Sequence, residues 1–315
     1  MAEQRTATRS ASSLIGIVGT LLLLAYLVLR FNWGTLIGAL GDARLGPLVL
    51  AAVVLCFSHL LGVTDRWRRI LRLVGVSVSF REAWIMRMGG APLKFFSPLR
   101  VGELLRLPYL SRQHSLSADR ALGAMAFEKF TFLTALLPAL LARALVDREL
   151  VSLALAMAVV VGEAVAVAPW GQQLVQRAAT SFGTRVREWT GGLLAAFACA
   201  GGRGLLYQTL YAVVIMAAEA VVLALCLRAV GVEIEFARWW TMLPGVLLAG
   251  LVPVTFAGLG AREVTLVVLF PRENPEALVA GGILFFVLAR LAIAVAGLPW
   301  MPEYLQRMVD SKAKS

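Results

Sequence analysis

The sequence predicts an all-α polytopic membrane protein, with about six full spans and two interrupted or re-entrant helices in an inverted repeat. Three observations carry this prediction: long charge-poor apolar stretches, arginines gathered beside them, and an internal repeat leading twice into a segment broken by proline and glycine. Of 315 residues, 59% are hydrophobic and 16% charged, with a mean hydropathy of +0.79. A soluble domain is about half apolar and about a quarter charged. The arrangement is more telling than the excess, because a stretch of roughly 18 or more apolar residues matches the hydrocarbon thickness of a bilayer.

Residues 1–13 read as a cytoplasmic tail. Leu14–Leu29 carries no charge, and Pro47–Val63 is comparably clean. The first stretch follows Arg5 and Arg9 like a signal peptide, but it is longer than a usual signal core and lacks a small-x-small cleavage site, so a retained helix is expected. Between Asp65 and Arg87 stand Arg66, Arg68, Arg69, Arg72, Arg81 and Arg87, opposed only by Asp65 and Glu82. Short loops rich in arginine stay in the cytoplasm. That orientation makes Ala121–Ala142 run outward and Val151–Ala168 return. Residues 172–188 carry Leu174, Ala178, Phe182 and Val186 at four-residue spacing, as expected for a helix on the cytoplasmic surface. Leu205–Leu227, with the single acid Glu219, then runs outward, and Leu278–Trp300, with the single base Arg290, returns to a cytoplasmic tail at 301–315. Trp189–Gly204 is rich in small residues, and the sequence leaves open whether it enters the membrane. One transmembrane domain, 14–300, is expected, with halves of about 14–142 and 151–300, both termini cytoplasmic, in the inner (plasma) membrane.

Residues 72–86, RLVGVSVSFREAWIM, match residues 228–242, RAVGVEIEFARWWTM, at seven of fifteen positions. Chance gives roughly one, so this is a repeat. The first copy leads into Ala91–Arg106 and the second into Gly250–Glu263, both interrupted by proline and glycine. Three crossings separate the copies, so the halves are expected to be inverted. Inverted halves with interrupted helices organise many secondary transporters. Broken backbone at membrane depth is tolerated only against protein or a cavity.

Ionisable residues concentrate at these breaks: Lys94, Arg100, Glu103 and Arg106 at the first, Arg262 and Glu263 at the second. Glu128 and Lys129 lie inside an apolar span, and Arg290 lies mid-span. Charges at membrane depth pair within the bundle or line a wet cavity. The expected pairs are Glu103 or Glu263 with Arg290, and Glu128 with an arginine of the break. Arginines at half-helix starts, with Gly102, Gly258 and Gly260 letting backbone amides approach, form a cradle for a phosphate headgroup. The expected substrate site is therefore Lys94, Arg100, Gly102, Glu103, Arg106, Glu128, Lys129, Gly258, Gly260, Arg262, Glu263 and Arg290.

Other chemistries find no support. The net charge of +11 is spread beside spans rather than on one soluble module, so no nucleic-acid partner is expected. Cys56, Cys199 and Cys226 form no CxxC, and His59 and His114 lack partners at ligand spacing, so neither disulfide framework nor metal is expected. GxxxxGK[ST], GxSxG and HExxH are all absent from the sequence. A transporter without cofactor or catalytic residues is expected.

At the two breaks the chain resembles the flippase-like family that includes the transmembrane region of lysylphosphatidylglycerol synthases. The resemblance runs from about Arg66 to Gly297. It rests on Arg66-Trp67-Arg68, on Pro98-Leu99-Arg100-Val101-Gly102-Glu103 with Arg106, on Glu128-Lys129, on the run from Pro253 to Glu263, and on Leu288-Ala289-Arg290. The chain departs from the family pattern at Ala257, where a second glycine is usual, at Lys129, where arginine is usual, and at Thr131-Phe132, near which an aspartate is usual. The resemblance implies a lipid translocase moving a phospholipid or lipid-linked headgroup between leaflets. The alternative it implies is a membrane-embedded enzyme, or enzyme subunit, acting on polyprenyl-phosphate-linked lipids. Aminoacyl-transferring relatives carry a soluble synthase domain after the membrane region. No such domain lies within these 315 residues, so a separate lipid-modifying enzyme is the expected protein partner.

Overall fold

A computed structural model describes residues 33–96, 103–146, 148, 150–167, 172, 173, 175, 177, 184–249 and 259–309. The described residues are helical apart from turns and short connections, with no strand among them. In chain order the helices are α1 (Trp33–Gly41), α2 (Leu45–Leu73), α3 (Phe80–Phe96), α4 (Arg106–His114), α5 (Ala118–Leu145), α6 (Leu150–Val167), α7 (Thr184–Ala229), α8 (Phe236–Ala249), α9 (Ala261–Leu269) and α10 (Pro275–Val309). Four of them, α2, α5, α10 and the Thr190–Ala229 part of α7, are long and apolar enough to cross a bilayer. Their outer faces have the matching chemistry. Leu45, Val49 and Val53 on α2, and Leu206, Leu210 and Val214 on α7, recur every four residues and are exposed. Apolar ridges of this length are rarely left to water. The protein is a multi-pass helical membrane protein.

The expected span Leu14–Leu29 lies outside the described residues, as does most of the expected surface helix at 172–188. Trp189–Gly204 is helical, and from Thr190 it belongs to one of the long apolar candidate spans. Its residues lie in α7, which departs from helical geometry only at Gly201 (φ 58°, ψ −178°). The span expected at Leu205–Leu227 therefore begins earlier than its apolar core indicated.

The repeat is reproduced in backbone geometry, 156 residues apart. Helix α2 ends in a Schellman motif: Gly75 takes φ 87°, its N–H donates to the Arg72 carbonyl at 3.1 Å, and the Val76 N–H donates to the Leu71 carbonyl at 3.0 Å. Helix α7 ends identically, with Gly231 at φ 84°, its N–H on Arg228 at 3.1 Å and the Val232 N–H on Leu227 at 3.0 Å. Only glycine enters this left-handed region without a steric penalty from Cβ. The following helices begin with the same aromatic pair, Phe80–Trp84 and Phe236–Trp240, each with ring centroids 6.3 Å apart. Each then carries an internal proline, Pro92 in α3 and Pro244 in α8, which removes one backbone hydrogen bond from the helix. Shorter helices, α4 and α9, resume beyond the proline- and glycine-rich segments, and long apolar helices, α5 and α10, follow. The element order long helix, turn, proline-bearing helix, short helix, long helix thus occurs twice.

The chain gathers into two compact units. Unit 1 takes the described parts of 1–57, 90–104 and 218–299; unit 2 takes those of 58–89, 105–217 and 300–315. In unit 1, Leu36, Val279 and Ala280 form a buried cluster flanked by Leu40, Val230, Val264 and Ile283. Helix α10 starts on Asn274, whose side chain accepts from the Ala277 N–H at 2.9 Å, with Pro275 in the first turn. In unit 2, Phe127 and Phe130 of α5 meet Phe197 of α7 edge-on at 5.0 and 5.1 Å. That approach requires glycines, since a Cβ on Gly123 would strike the Gly192 carbonyl and one on Gly192 would strike the Asp119 carbonyl.

Overpacking of this kind costs on the order of 1–3 kcal/mol. Gly123→Ala and Gly192→Ala are expected to lower the thermal unfolding temperature in detergent. Gly191→Ala serves as the control, because its Cβ would meet open space.

Candidate functional site

The first charged cluster lies in unit 2, where α2, α4 and α5 meet. Arg106 opens α4, and its guanidinium donates to the Glu128 carboxylate at 3.1 Å. Both side chains are about nine-tenths buried, so the expected pairing of Glu128 with an arginine of the break is present. The Arg106 guanidinium also lies 4.7 Å from the centre of the Trp67 ring, a cation–π distance. A second arginine, Arg66, is 3% exposed and donates to the Thr131 hydroxyl at 2.6 Å and the Glu128 carbonyl at 3.2 Å.

Arg66 is one of the six arginines between Asp65 and Arg87, and unlike its neighbours Arg68 and Arg69 it is buried. The helical register explains the difference. Asp65 pairs with Arg68 and Arg69, at spacings of three and four residues, on the exposed side of α2. Arg66 shares its face with Trp67, Ile70 and Leu71, all buried. Lys129, next to Glu128, is exposed.

Beside it runs a polar network tying α3, α4 and the end of α10. His114 hydrogen-bonds the Glu82 carboxylate at 2.6 Å, and Arg307 bonds Glu303 at 2.7 Å and the Tyr109 hydroxyl at 3.4 Å. Burial raises the Glu82 carboxyl, but the His114 hydrogen bond and the nearby Arg307 charge outweigh it and hold the carboxyl below its ordinary value. Tyr304 stacks on Tyr109 with centroids 5.5 Å apart, seated over Gly89, where any side chain would clash.

The second set lies in unit 1. Glu263, 1% exposed, turns back on its own helix start and accepts from the Gly260 N–H at 2.6 Å. A Cβ on Gly282 of α10 would come within 2.9 Å of the Glu263 side chain, so a glycine is needed opposite the carboxylate. Arg262, 2% exposed, places its guanidinium 4.4 Å from the centre of the Phe285 ring. Arg290 donates to Glu219 at 3.2 Å. This corrects the expectation that Glu103 or Glu263 would be its partner: Glu263 is held by its own turn, and Glu103 pairs with Lys94. The pairing of Glu219 with Arg290 had a sequence signal, since each is the single charge of its span. Arg290 sits in a π-helical stretch, Val287–Ala292, a local widening frequent at functional positions.

Arg100, Gly102 and Gly258 lie outside the described residues. The 156-residue register nevertheless reaches them in sequence, matching Gly102 to Gly258 and Arg106 to Arg262. Both of these arginines open a short helix and cover an aromatic ring. Among the described residues no group of three or more His, Cys, Asp or Glu is placed to hold a metal ion.

The model of the lysylphosphatidylglycerol synthase transmembrane region matches residues 13–304. The chain belongs to this family. Its work is accordingly in the membrane and concerned with lipid. A comparison with curated proteins finds no match.

Removing one member of a buried ion pair strands the other and costs about 3–5 kcal/mol. Arg106→Met and Glu128→Leu are each expected to destabilise the protein strongly, and the double variant to recover most of that loss. Thermal unfolding of the four species gives the coupling. Additive losses would contradict a direct pair.

Proposed function

We propose that the protein is a lipid translocase that moves a phosphate-bearing headgroup between leaflets, and that it is not itself an enzyme. The observation that carries this reading is the duplicated arrangement of an arginine opening a short helix just past a segment rich in proline and glycine, inside a family devoted to membrane lipid. Arg106 in unit 2 and Arg262 in unit 1 each supply positive charge that attracts a phosphate. Glu128, Glu219 and Glu263 balance and orient the surrounding bases. A headgroup crossing the bilayer loses its water, and fixed guanidinium groups with backbone amides replace that water. The sequence register assigns Arg100, Gly102 and Gly258 to headgroup binding as well. We place both termini in the cytoplasm and the protein in the plasma membrane, because the exposed arginines between Asp65 and Arg87 favour that side. A separate lipid-modifying enzyme supplies or consumes the lipid.

Reconstitution in vesicles with acyl-labelled phospholipids tests the proposal. Wild-type protein is expected to expose inner-leaflet lipid to an external quencher. Arg262→Ala is expected to slow that exposure at least about tenfold, the effect of losing one charge-assisted contact. Equal rates for both would remove Arg262 from the site. A chemically altered lipid in the mass spectrum would mean that the protein is an enzyme.

A further inference from the structure

Glu263 differs from the other buried acids in its surroundings. Glu128 pairs with Arg106, Glu219 with Arg290 and Glu103 with Lys94. Among the described residues no base is in ion-pair contact with Glu263, although it is almost fully shut away from water. Its Oε2 accepts the Gly260 N–H, and its Oε1 lies beside Gly282, which has no side chain to meet it. The helices packed against α9 are α8 and α10, with α1 behind α10. The only charged residue of α8 is Arg238, which covers the Phe270 ring just past the other end of α9. The Pro275–Phe286 part of α10 carries only Glu276, in its first turn, and α1 carries no charged residue. Arg290, farther along α10, is taken by Glu219. The charge that acts on Glu263 is its sequence neighbour Arg262, whose guanidinium covers the Phe285 ring.

We infer that Glu263 is a proton-binding site that couples lipid movement to protons: its carboxylate takes one proton from the aqueous phase as a headgroup arrives and returns it as the headgroup leaves. Opposing influences meet on this one group. Removal from water favours the neutral acid, while the Gly260 N–H and the Arg262 charge favour the carboxylate. A group balanced in this way changes state when one influence changes. An anion arriving beside Arg262 cancels part of the field that holds the carboxylate ionised, and a proton takes its place. Whatever else the guanidinium touches, the charge beside it changes by one unit. Proton and anion therefore bind together, and by linkage each strengthens the other. The cap at the head of α9 survives the change, because the carbonyl oxygen of the neutral acid still accepts the Gly260 N–H while the other oxygen carries the proton. Buried carboxyls serve as proton relays in many transporters for the same reason.

This coupling rests on the translocation reading above. Movement of acyl-labelled phosphatidylglycerol by the full-length protein in vesicles, with equal pH on both sides, tests it. The wild-type rate is expected to fall by up to about tenfold per pH unit on the alkaline side of its midpoint, as for a single group that must be protonated. Glu263→Gln keeps an oxygen for the Gly260 N–H and does not titrate. It is expected to melt as the wild type does and to move lipid at a rate independent of pH. Infrared spectra of the purified protein give a second readout: a protonated-carboxyl C=O band that grows when short-chain phosphatidylglycerol is added and is missing from Glu263→Gln.

A carboxyl that only caps α9 predicts the wild-type pH profile in Glu263→Gln, and that result overturns the proton site. Wild-type protein that moves lipid at a rate flat in pH overturns the coupling, whether or not Glu263→Gln folds. The infrared band without any lipid movement overturns translocation and leaves the proton site standing. Lipid movement without the band in wild type overturns the proton site alone.

Discussion

A guanidinium in hydrocarbon has lost most of its hydration, and nothing in the lipid replaces it. The placement of buried charges follows from that constraint. In unit 2, Arg106 meets Glu128 across α4 and α5, and Arg66 takes up the Glu128 carbonyl and the Thr131 hydroxyl. In unit 1, Arg290 meets Glu219, and Lys94 meets Glu103. Arg262 covers the electron-rich face of Phe285. Buried pairs of this kind contribute little net stability compared with apolar packing, because desolvation takes back most of the attraction. Their presence in a chain otherwise so apolar is therefore an argument for function.

Glycine makes these pairings sterically possible. Gly282 leaves room for the Glu263 side chain, Gly89 for Tyr304, and the Gly123–Gly192 contact brings α5 onto α7. Transmembrane helices gain little from hiding apolar surface from one another, since lipid is equally apolar, and they rely on close backbone approach and polar contacts instead. The same packing holds the aromatic faces that Arg106 and Arg262 cover. Close packing and charge placement are thus one problem: a methyl group added at Gly282 acts on the Glu263 carboxylate as directly as on the helix contact.

The duplication shows which features a single copy needs. The Schellman turns at Gly75 and Gly231, the Phe–Trp pairs, and the arginines Arg106 and Arg262 recur at one register. The balancing acids do not recur: Glu128 comes from a neighbouring helix, and Glu263 adjoins its arginine. Position 284, which corresponds to Glu128 in that register, is leucine. The arginine and the turn are common to both copies, while each copy has found its own way to offset the charge.

Much of this was legible in the sequence because it depends on local patterns. Long apolar runs specify helices in lipid, and seven identities in fifteen positions specify a duplication. The Glu128–Arg106 pair could also be anticipated, since a lone acid in a span needs a base and the break offered one. Other features depended on which residues face each other. The hydropathy pattern could not distinguish Arg66 from Arg68 and Arg69, because only the helical register against α5 turns one inward and the others out. Gly260 took the Glu263 carboxylate that might have served Arg290, a choice settled by the turn at the head of α9. Tyr304 lies far along the chain from Tyr109, on which it stacks, and no local pattern links them. The sequence by itself determined a duplicated helical membrane protein with charges that must be buried. The tertiary structure decided which charges are buried together, because that depends on helix rotation and close approach, and hydropathy does not record either.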